Sequence, residues 1–389
     1  MRYSFRLAEL LGHVPDPRKR PGTIKAIVEY TGLDRHQVAA LLKNEVKYIP
    51  MKALSRLCDY LIEYGYVSAD QLPGALFAVE PEHFWELLAR RHRLELCVGV
   101  RSTENEGWPE GAWVVASDSV LLGELLNGVS TLGGTAKHNA GGNEGNSATM
   151  AINPHPEHLK QSLTWSPGQL PLEEVLRRAE DVYSGFCGPG GDKALICLGS
   201  IKSNPVVEFV LAEAFGCEPF QSQDDVQQPG DRTCPIFLRY RHDDPHPKAC
   251  SAGVKLSSAD ESTAPGIYYE GKDGMWKHCS WDQPHHDTAL VFYIHRESQG
   301  RLEMVLGGFS GRATRLLAKT LSSRAEDFWP PVYSRHGIQV GAYIVQYTLS
   351  PEEEAVRDVL RTDLIAETQI IPLSHEAIAR RLDAIKTIA

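Results

Sequence analysis

The sequence predicts a multidomain chain: a small all-helical domain, then an open, mostly parallel α/β sheet, then a helical C-terminal segment. Three observations carry this. Between Gly22 and Gly65, apolar residues recur at helical spacing in three short runs separated by Gly and Pro. From Leu94 to Leu349, apolar runs of strand length alternate with amphipathic runs of helix length. After Pro351 the pattern is helical again. At 389 residues with 42% apolar content, the chain is long enough for two or three domains with ordinary cores.

In the first segment Thr23 can cap a helix that turns Ile24, Ile27 and Val28 to one side. Gly32 supplies the residue able to take positive φ in the turn. Leu33 plugs the corner, and Asp34 can cap a second helix carrying Val38, Leu41 and Leu42 inward. Pro50 opens a third helix with Met51, Leu54, Leu57 and Leu61 on its apolar face, ending near Tyr64-Gly65. The body then reads as a connector with a helix from Pro81 to Arg93, and a strand at Leu94–Val100. A strand or loop next leads into a helix after Trp113, and a Gly/Asn-rich loop covers 132–150. A helix at Leu172–Tyr183, a strand at 193–200 and a helix opened by Pro205 follow. Strands at 234–240, 289–295 and 301–309, a helix at 311–321 and a strand at 337–349 complete the sheet, leaving helices at 352–362 and from His375. The expected domains are 1–66, a helical linker 67–93, an α/β body 94–350 and a helical segment 351–389.

Charge is divided between these parts. Residues 1–56 hold eleven Lys/Arg against five Asp/Glu, a net of +6 within a chain of −10, so the rest stands at −16. A basic head on an acidic body suits phosphate contact by one domain. Arg18-Lys19-Arg20, between Pro17 and Pro21, forms a basic arm beside the head. The eight cysteines are scattered without a CxxC pair, as expected of reduced thiols in a cytoplasmic protein. No apolar run reaches the length of a membrane span, and the N-terminal Leu-Ala-Glu-Leu-Leu is too short for a signal peptide.

The order helix, Gly turn, helix, short loop, helix resembles the Cro/C1-type (XRE-like) helix-turn-helix family. Val28 departs from that family's usual small residue under the turn. The resemblance implies double-stranded DNA as partner. Arg35, His36 and Gln37 would present to the major groove, with Lys43 and Lys47 on phosphates and Lys25 on the backbone from the preceding helix. A dimer on a two-fold operator is the corresponding expectation.

Two strand-to-helix junctions carry anion-binding chemistry. In the first, Gly199-Ser200-Ile201-Lys202-Ser203-Asn204-Pro205, a strand passes through a polar loop to a helix opened by Pro at its first turn. In the second, Gly307-Gly308-Phe309-Ser310-Gly311-Arg312-Ala313-Thr314, a strand passes through glycines to a helix with Arg at its start. Neither fits a Walker A loop or GxGxxG. Both belong at the carboxyl ends of their strands, where open α/β sheets bind ligands. Candidate ligand residues are therefore Gly199, Ser200, Lys202, Ser203, Asn204, Gly307, Gly308, Ser310, Gly311, Arg312 and Thr314. The pairing GS-x-x-SNP-x-x-E with GGF-x-G-x-AT is similar to Rossmann-type sensor domains attached to bacterial helix-turn-helix proteins, over roughly residues 190–320. That resemblance implies a Rossmann-like body but names no ligand; the two junctions together favour a nucleotide or other small anionic molecule as ligand rather than a fixed cofactor.

Histidines and acids also gather at Arg241–His246, with Cys250 nearby, and at Cys279–Asp287, with His295 beyond. Their spacing matches no metal motif, so no metal is expected. There is no GxSxG or HExxH. The expectation is a ligand-responsive DNA-binding regulator. The alternative is a nucleotide-processing α/β enzyme localised by its helix-turn-helix domain, with Asp118, Glu208 and the His-rich loops as acid/base groups. An adaptor that binds neither DNA nor ligand is the third class.

Overall fold

A computed structural model describes the chain except for residues 1, 12–22, 44, 68, 70–71, 73–75, 90, 92, 103–111, 140–158, 189–192, 200–201, 221–233, 242–263, 283–284, 297–298, 336, 350–364 and 389. The head comprises a strand β1 (Arg2–Phe5), a short helix α1 (Leu7–Leu10), then α2 (Thr23–Thr31), α3 (Arg35–Leu42) and α4 (Met51–Glu63). Gly32 takes φ +75° between α2 and α3, a turn that an L side chain would strain. Asp34 and Gln37 close a capping box on α3: Gln37 N donates to Asp34 Oδ1 at 2.8 Å, and Asp34 N donates to Gln37 Oε1 at 3.1 Å. Ile27, Leu33, Val38, Leu41, Leu42, Leu57 and Leu61 meet in one core, as the periodicity predicts. Met51 does not join them. It is the first residue of α4 and is 76% exposed, while Ala53 and Tyr60 fill the inner face instead.

The connector is not simply helical. Residues Phe77–Glu80 form a strand, β2, that pairs antiparallel with β1. Val67 and Leu76 belong to the core of the head. The helix expected over Pro81–Arg93 shrinks to α5 (Glu86–Ala89), because Arg93 already begins the next strand.

The body is built on a large mixed sheet. Its central strands β3 (Arg93–Ser102), β5 (Leu159–Trp165), β6 (Lys193–Leu198) and β11 (Arg301–Gly308) run parallel in the order β5-β3-β6-β11. Short β4 (Ala112–Val114) pairs antiparallel with the end of β3. Beyond β11, strands β10 (His286–Arg296), β13 (Ile338–Leu349), β12 (Tyr333–Arg335) and β14 (Ile365–Pro372) extend the sheet antiparallel. A separate antiparallel sheet holds β7 (Ile236–Arg239), β8 (Gly266–Glu270) and β9 (Trp276–Ser280).

Both faces of the main sheet are covered, which explains why its strands read as continuous apolar runs. Leu94, Leu96, Val98, Ala194, Ile196 and Leu198 point to the face under α6 (Ala116–Asn139) and α9 (Gly311–Arg324). Cys97, Leu195 and Cys197 point to the face under α7 (Leu172–Cys187), α8 (Val206–Phe215) and α10 (His375–Ile388). Adjacent strands β3 and β6 thus send their following helices to opposite faces.

Two readings of the sequence change here. α6 continues to Asn139, through the first part of the stretch read as a 132–150 loop; residues 140–150 lie outside the described residues. Glycine inside a helix costs about 1 kcal/mol relative to Ala, and a strongly started helix can run through it. In the tail, Ile365–Pro372 is the strand β14, added to the edge of β13. The expected helix at 352–362 lies outside the described residues. α10 packs on its own body through Ile378 and Leu382, while Arg380 and Arg381 pair with Glu270 of β8.

Candidate DNA interface and ligand cleft

On the head, the first turn of α3 faces solvent. Arg35 and His36 are exposed and Gln37 is half-buried. Lys43 and Lys47 are exposed beyond the end of α3, and Lys25 is exposed on α2, where it pairs with Glu29 at 3.7 Å. The capping box changes the reading of Gln37. Bidentate recognition of adenine uses both the amide oxygen and the amide nitrogen. Its oxygen already accepts from Asp34 N, so the cap fixes the orientation of the amide and leaves it one acceptor lone pair and the NH2. Arg35 and His36 carry no such constraint. Sequence periodicity missed Tyr48 and Met51, 75% and 76% exposed beside Lys47 and Lys52. Met51 counts as a core position at helical spacing, and only its place in the first turn turns it outward.

In the body, the two junctions meet at the carboxyl ends of β6 and β11. A cleft of about 120 Å³ is lined there by Lys202 and Ser203 from the first junction, and by Gly308, Phe309, Ser310, Gly311 and Thr314 from the second. Arg101 at the end of β3, Ser117 and Asp118 in the first turn of α6, and Arg241 beyond β7 complete it. Gly199 has φ +89°, and a Cβ there would overlap Ser203 Oγ and lie 3.0 Å from Asp118 Oδ2. Only glycine permits this loop to close so tightly on α6.

Several predicted residues brace the cleft, Ser310 and Thr314 while also lining it. Asn204 is fully buried: its Nδ2 donates to the carbonyls of Cys97 and Leu198 at 2.9 and 3.1 Å, and its Oδ1 accepts from Val206 N at 3.2 Å. It ties the middle of β3 and the end of β6 to the start of α8. Thr314 Oγ1 donates to Ser310 O at 3.1 Å and accepts from Gly308 N at 3.2 Å, locking β11 to α9. Ser310 caps α9, accepting from Arg312 N and Ala313 N, and donates its hydroxyl proton to Asp287. Asp287 also accepts from Thr288 N; burial raises its pKa, and the Ser310 hydrogen bond opposes that. Gly307 pairs with Leu290 inside the sheet, and Arg312 is half-buried in the first turn of α9. Ser200 lies outside the described residues.

The cations at the cleft rest on aromatic faces. Lys202 Nζ sits 4.1 Å from the centroid of Phe309, and the Arg241 guanidinium 5.0 Å from that of Trp281. The two rings are 6.2 Å apart. Asp118 is the contrasting group. It is 3% exposed, its Oδ1 receives the Ser117 hydroxyl at 3.3 Å, and its Oδ2 has no hydrogen-bond partner. Burial pushes its pKa up to about 6, against the pull of the Ser117 hydrogen bond and the Arg101 charge. The residues Ala116-Ser117-Asp118 form a third strand-to-helix junction after β4. The sequence reading took Asp118 only as an enzymatic acid.

Elsewhere the chemical candidates disperse. Glu208 is buried and accepts from Phe220 N at 3.1 Å, away from the cleft lining. Among the described residues, no three His, Cys, Asp or Glu side chains gather to hold a metal. His242–His246 and Cys250 lie outside the described residues. No helix among the described residues is long and apolar enough to cross a membrane.

Residues 18–62 match the Cro/C1-type helix-turn-helix DNA-binding domain, spanning α2, α3 and α4. The chain therefore carries an N-terminal helix-turn-helix domain, followed by a multidomain α/β layout. No curated protein and no solved structure matches the chain.

Proposed function

We propose that the chain is a ligand-responsive transcriptional regulator, whose head reads an operator and whose Rossmann-like body senses a small anionic metabolite or nucleotide. One observation carries the reading: the matched DNA-binding domain is fused to a body whose two anion-type junctions line a single cleft. The arrangement β5-β3-β6, with helices diverging to opposite faces after β3 and β6, supports a Rossmann-like assignment. The basic first turn of α3 supports base reading by Arg35 and His36, with Lys25, Lys43 and Lys47 on phosphates. A homodimer on a two-fold operator is the corresponding proposal. Ligand shifts DNA affinity only if the cleft binds it differently in the two states of the head.

The test selects an operator from random duplexes with the full chain, then measures its affinity by fluorescence anisotropy with and without added nucleotides and phosphorylated sugars. A change of fivefold or more supports the sensor; an operator affinity indifferent to every anionic ligand sinks it. The buried Asp118, whose Oδ2 lacks a hydrogen-bond partner, also favours a second reading, in which the cleft processes its nucleotide by acid/base chemistry. Turnover of added nucleotides separates that enzyme from a sensor, which returns its ligand unchanged.

A further inference from the structure

We infer that Tyr48 and Met51 form an apolar seat for the sugar-phosphate backbone of bound DNA, packing against deoxyribose beside phosphates held by Lys47 and Lys52. The inference rests on the operator-reading head and adds contacts that carry affinity without charge or sequence preference.

Local structure puts these side chains outside. Val46 and Ile49 pack against the core of the head, and Lys47 and Tyr48 between them are carried into solvent. Pro50 caps α4 with φ −62° and ψ 135°, and Met51 follows as its first helical residue. Tyr48 and Met51 are 75% and 76% exposed, although each would gain from leaving water. Because Val46, Ile49 and Ala53 anchor the segment, both are displayed from packed chain rather than from a free loop tip. By contrast, the exposed Tyr64 and Tyr66 at the other end of α4 lie by the Tyr60 ring, their centroids 4.6 and 6.2 Å from it.

Charge selects the occupant. From Lys43 to Arg56 the exposed charged residues are Lys43, Lys47, Lys52 and Arg56 against Glu45, whereas the second half of α4 carries Asp59 and Glu63. A second copy meeting this patch with its own would set cations against cations. A DNA strand offers both chemistries: its phosphates answer the lysines, and the deoxyribose between them presents apolar surface. Three residues of chain span at most about 11 Å. At about 3.4 Å of axis per nucleotide, Tyr48 and Met51 reach sugars within about three successive nucleotides of one strand. The patch begins at Lys43, the residue that ends α3, and so continues the helix whose first turn carries Arg35 and His36.

Anisotropy titrations of the full chain on the selected operator and on a scrambled duplex, at several salt concentrations, test the inference. Tyr48→Ala and Met51→Ala should each weaken both duplexes by the same factor, about fivefold, with thermal unfolding unchanged. The slope of log affinity against log salt should stay at the wild-type value, whereas a lost lysine contact lowers it by about 1. Tyr48→Phe and Met51→Leu keep the apolar surface and should bind within about twofold of wild type. Tyr48→Gln and Met51→Gln, long but polar, should lose as much as alanine and cover an alanine variant that does not fold. Alanine and glutamine variants that bind both duplexes like wild type overturn the seat. So does a salt slope that falls along with affinity. A loss confined to the operator overturns it in favour of base reading, and a loss matched by a shift from dimer to monomer in sedimentation in favour of a second copy. A wild type that binds neither duplex removes the DNA-reading head itself, and the seat with it.

Discussion

The two edges of the central sheet treat buried carboxylates in opposite ways. At the edge where β6 and β11 begin, Glu303 is fully buried with Arg296, Arg301 and the Tyr183 hydroxyl, the last at 2.8 Å. Glu95 nearby is likewise buried, and receives Ser162 at 2.5 Å, Lys160 at 3.0 Å and Arg93 at 2.7 Å. Burial opposes ionisation of Glu95, but these partners win and hold its pKa below the ordinary range. At the far edge, Asp118 is as deeply buried and has one oxygen unanswered, so burial wins and its pKa rises. A carboxylate whose bonds are all made inside the chain serves the fold. The one at the cleft keeps an oxygen without a hydrogen-bond partner.

Removing one partner from the paired edge should give the largest effect. Glu303→Ala removes the buried carboxylate between Arg296 and Arg301 and leaves them the longer contacts to Glu213, and is expected to destabilise by about 3–5 kcal/mol. Denaturant unfolding measures it, and a loss under 1 kcal/mol would mean that the edge is not the structural anchor described. Asp118→Asn should act with the opposite sign. Folded Asp118 has a pKa of about 6, against an ordinary 3.8, so the folded state holds the proton more tightly than the unfolded one. Its cost is absent below about pH 4, grows as pH rises through 6, and is complete near pH 7.5. That difference corresponds to about 3 kcal/mol. The amide leaves some of it in place, so a gain of about 1–2 kcal/mol is expected at pH 8 and none at pH 4. A variant equally stable to wild type at both pH values would show that Asp118 has a partner in solution.

The same contrast explains what the sequence revealed. The order of β3, β6, β10, β11 and β13 and of α7, α8 and α9 was legible because both faces of the sheet are buried, whereas β5, β8 and β9 were not anticipated. Gly32, Asp34 and Pro205 marked their turns and caps because those roles are local. The two junctions could be placed at strand ends, and the cleft does join them. What could not be read depends on contacts far apart in sequence. β2 forms because residues 77–80 meet residues 2–5, and β14 because Ile365–Pro372 finds the edge of β13. Asn204 looked like a ligand group, yet its hydrogen bonds go to Cys97, Leu198 and Val206. Asp118 joined the site only through a Gly199 loop eighty-one residues along the chain.

On the head, side chains free of internal duties should govern DNA binding without touching stability. Arg35→Ala is expected to cost about 1–3 kcal/mol of operator affinity and to relax preference at one base pair, with thermal unfolding unchanged. Lys47→Ala should weaken all duplexes alike and reduce the slope of log affinity against log salt by about 1. Anisotropy titrations on operator and scrambled DNA at several salt concentrations separate the two. Equal losses on both duplexes for Arg35→Ala would remove it from base reading.

Gln37 stands between the two kinds of residue, since its oxygen is used by the capping box and its nitrogen is not. Replacing it with alanine would mix lost capping with lost recognition and decide nothing. Gln37→Glu separates them. A carboxylate at this third helical position still accepts from Asp34 N and is favoured by the helix dipole, so stability should hold within about 0.5 kcal/mol. The donor NH2 is gone, however. If Gln37 only caps α3, the added charge lowers affinity for every duplex by the same factor. If its NH2 reads a base, discrimination at a single operator position changes on top of that uniform loss. A side chain with half its hydrogen bonding engaged in the fold can still serve recognition with the other half, and an operator scan of this one variant shows whether it does.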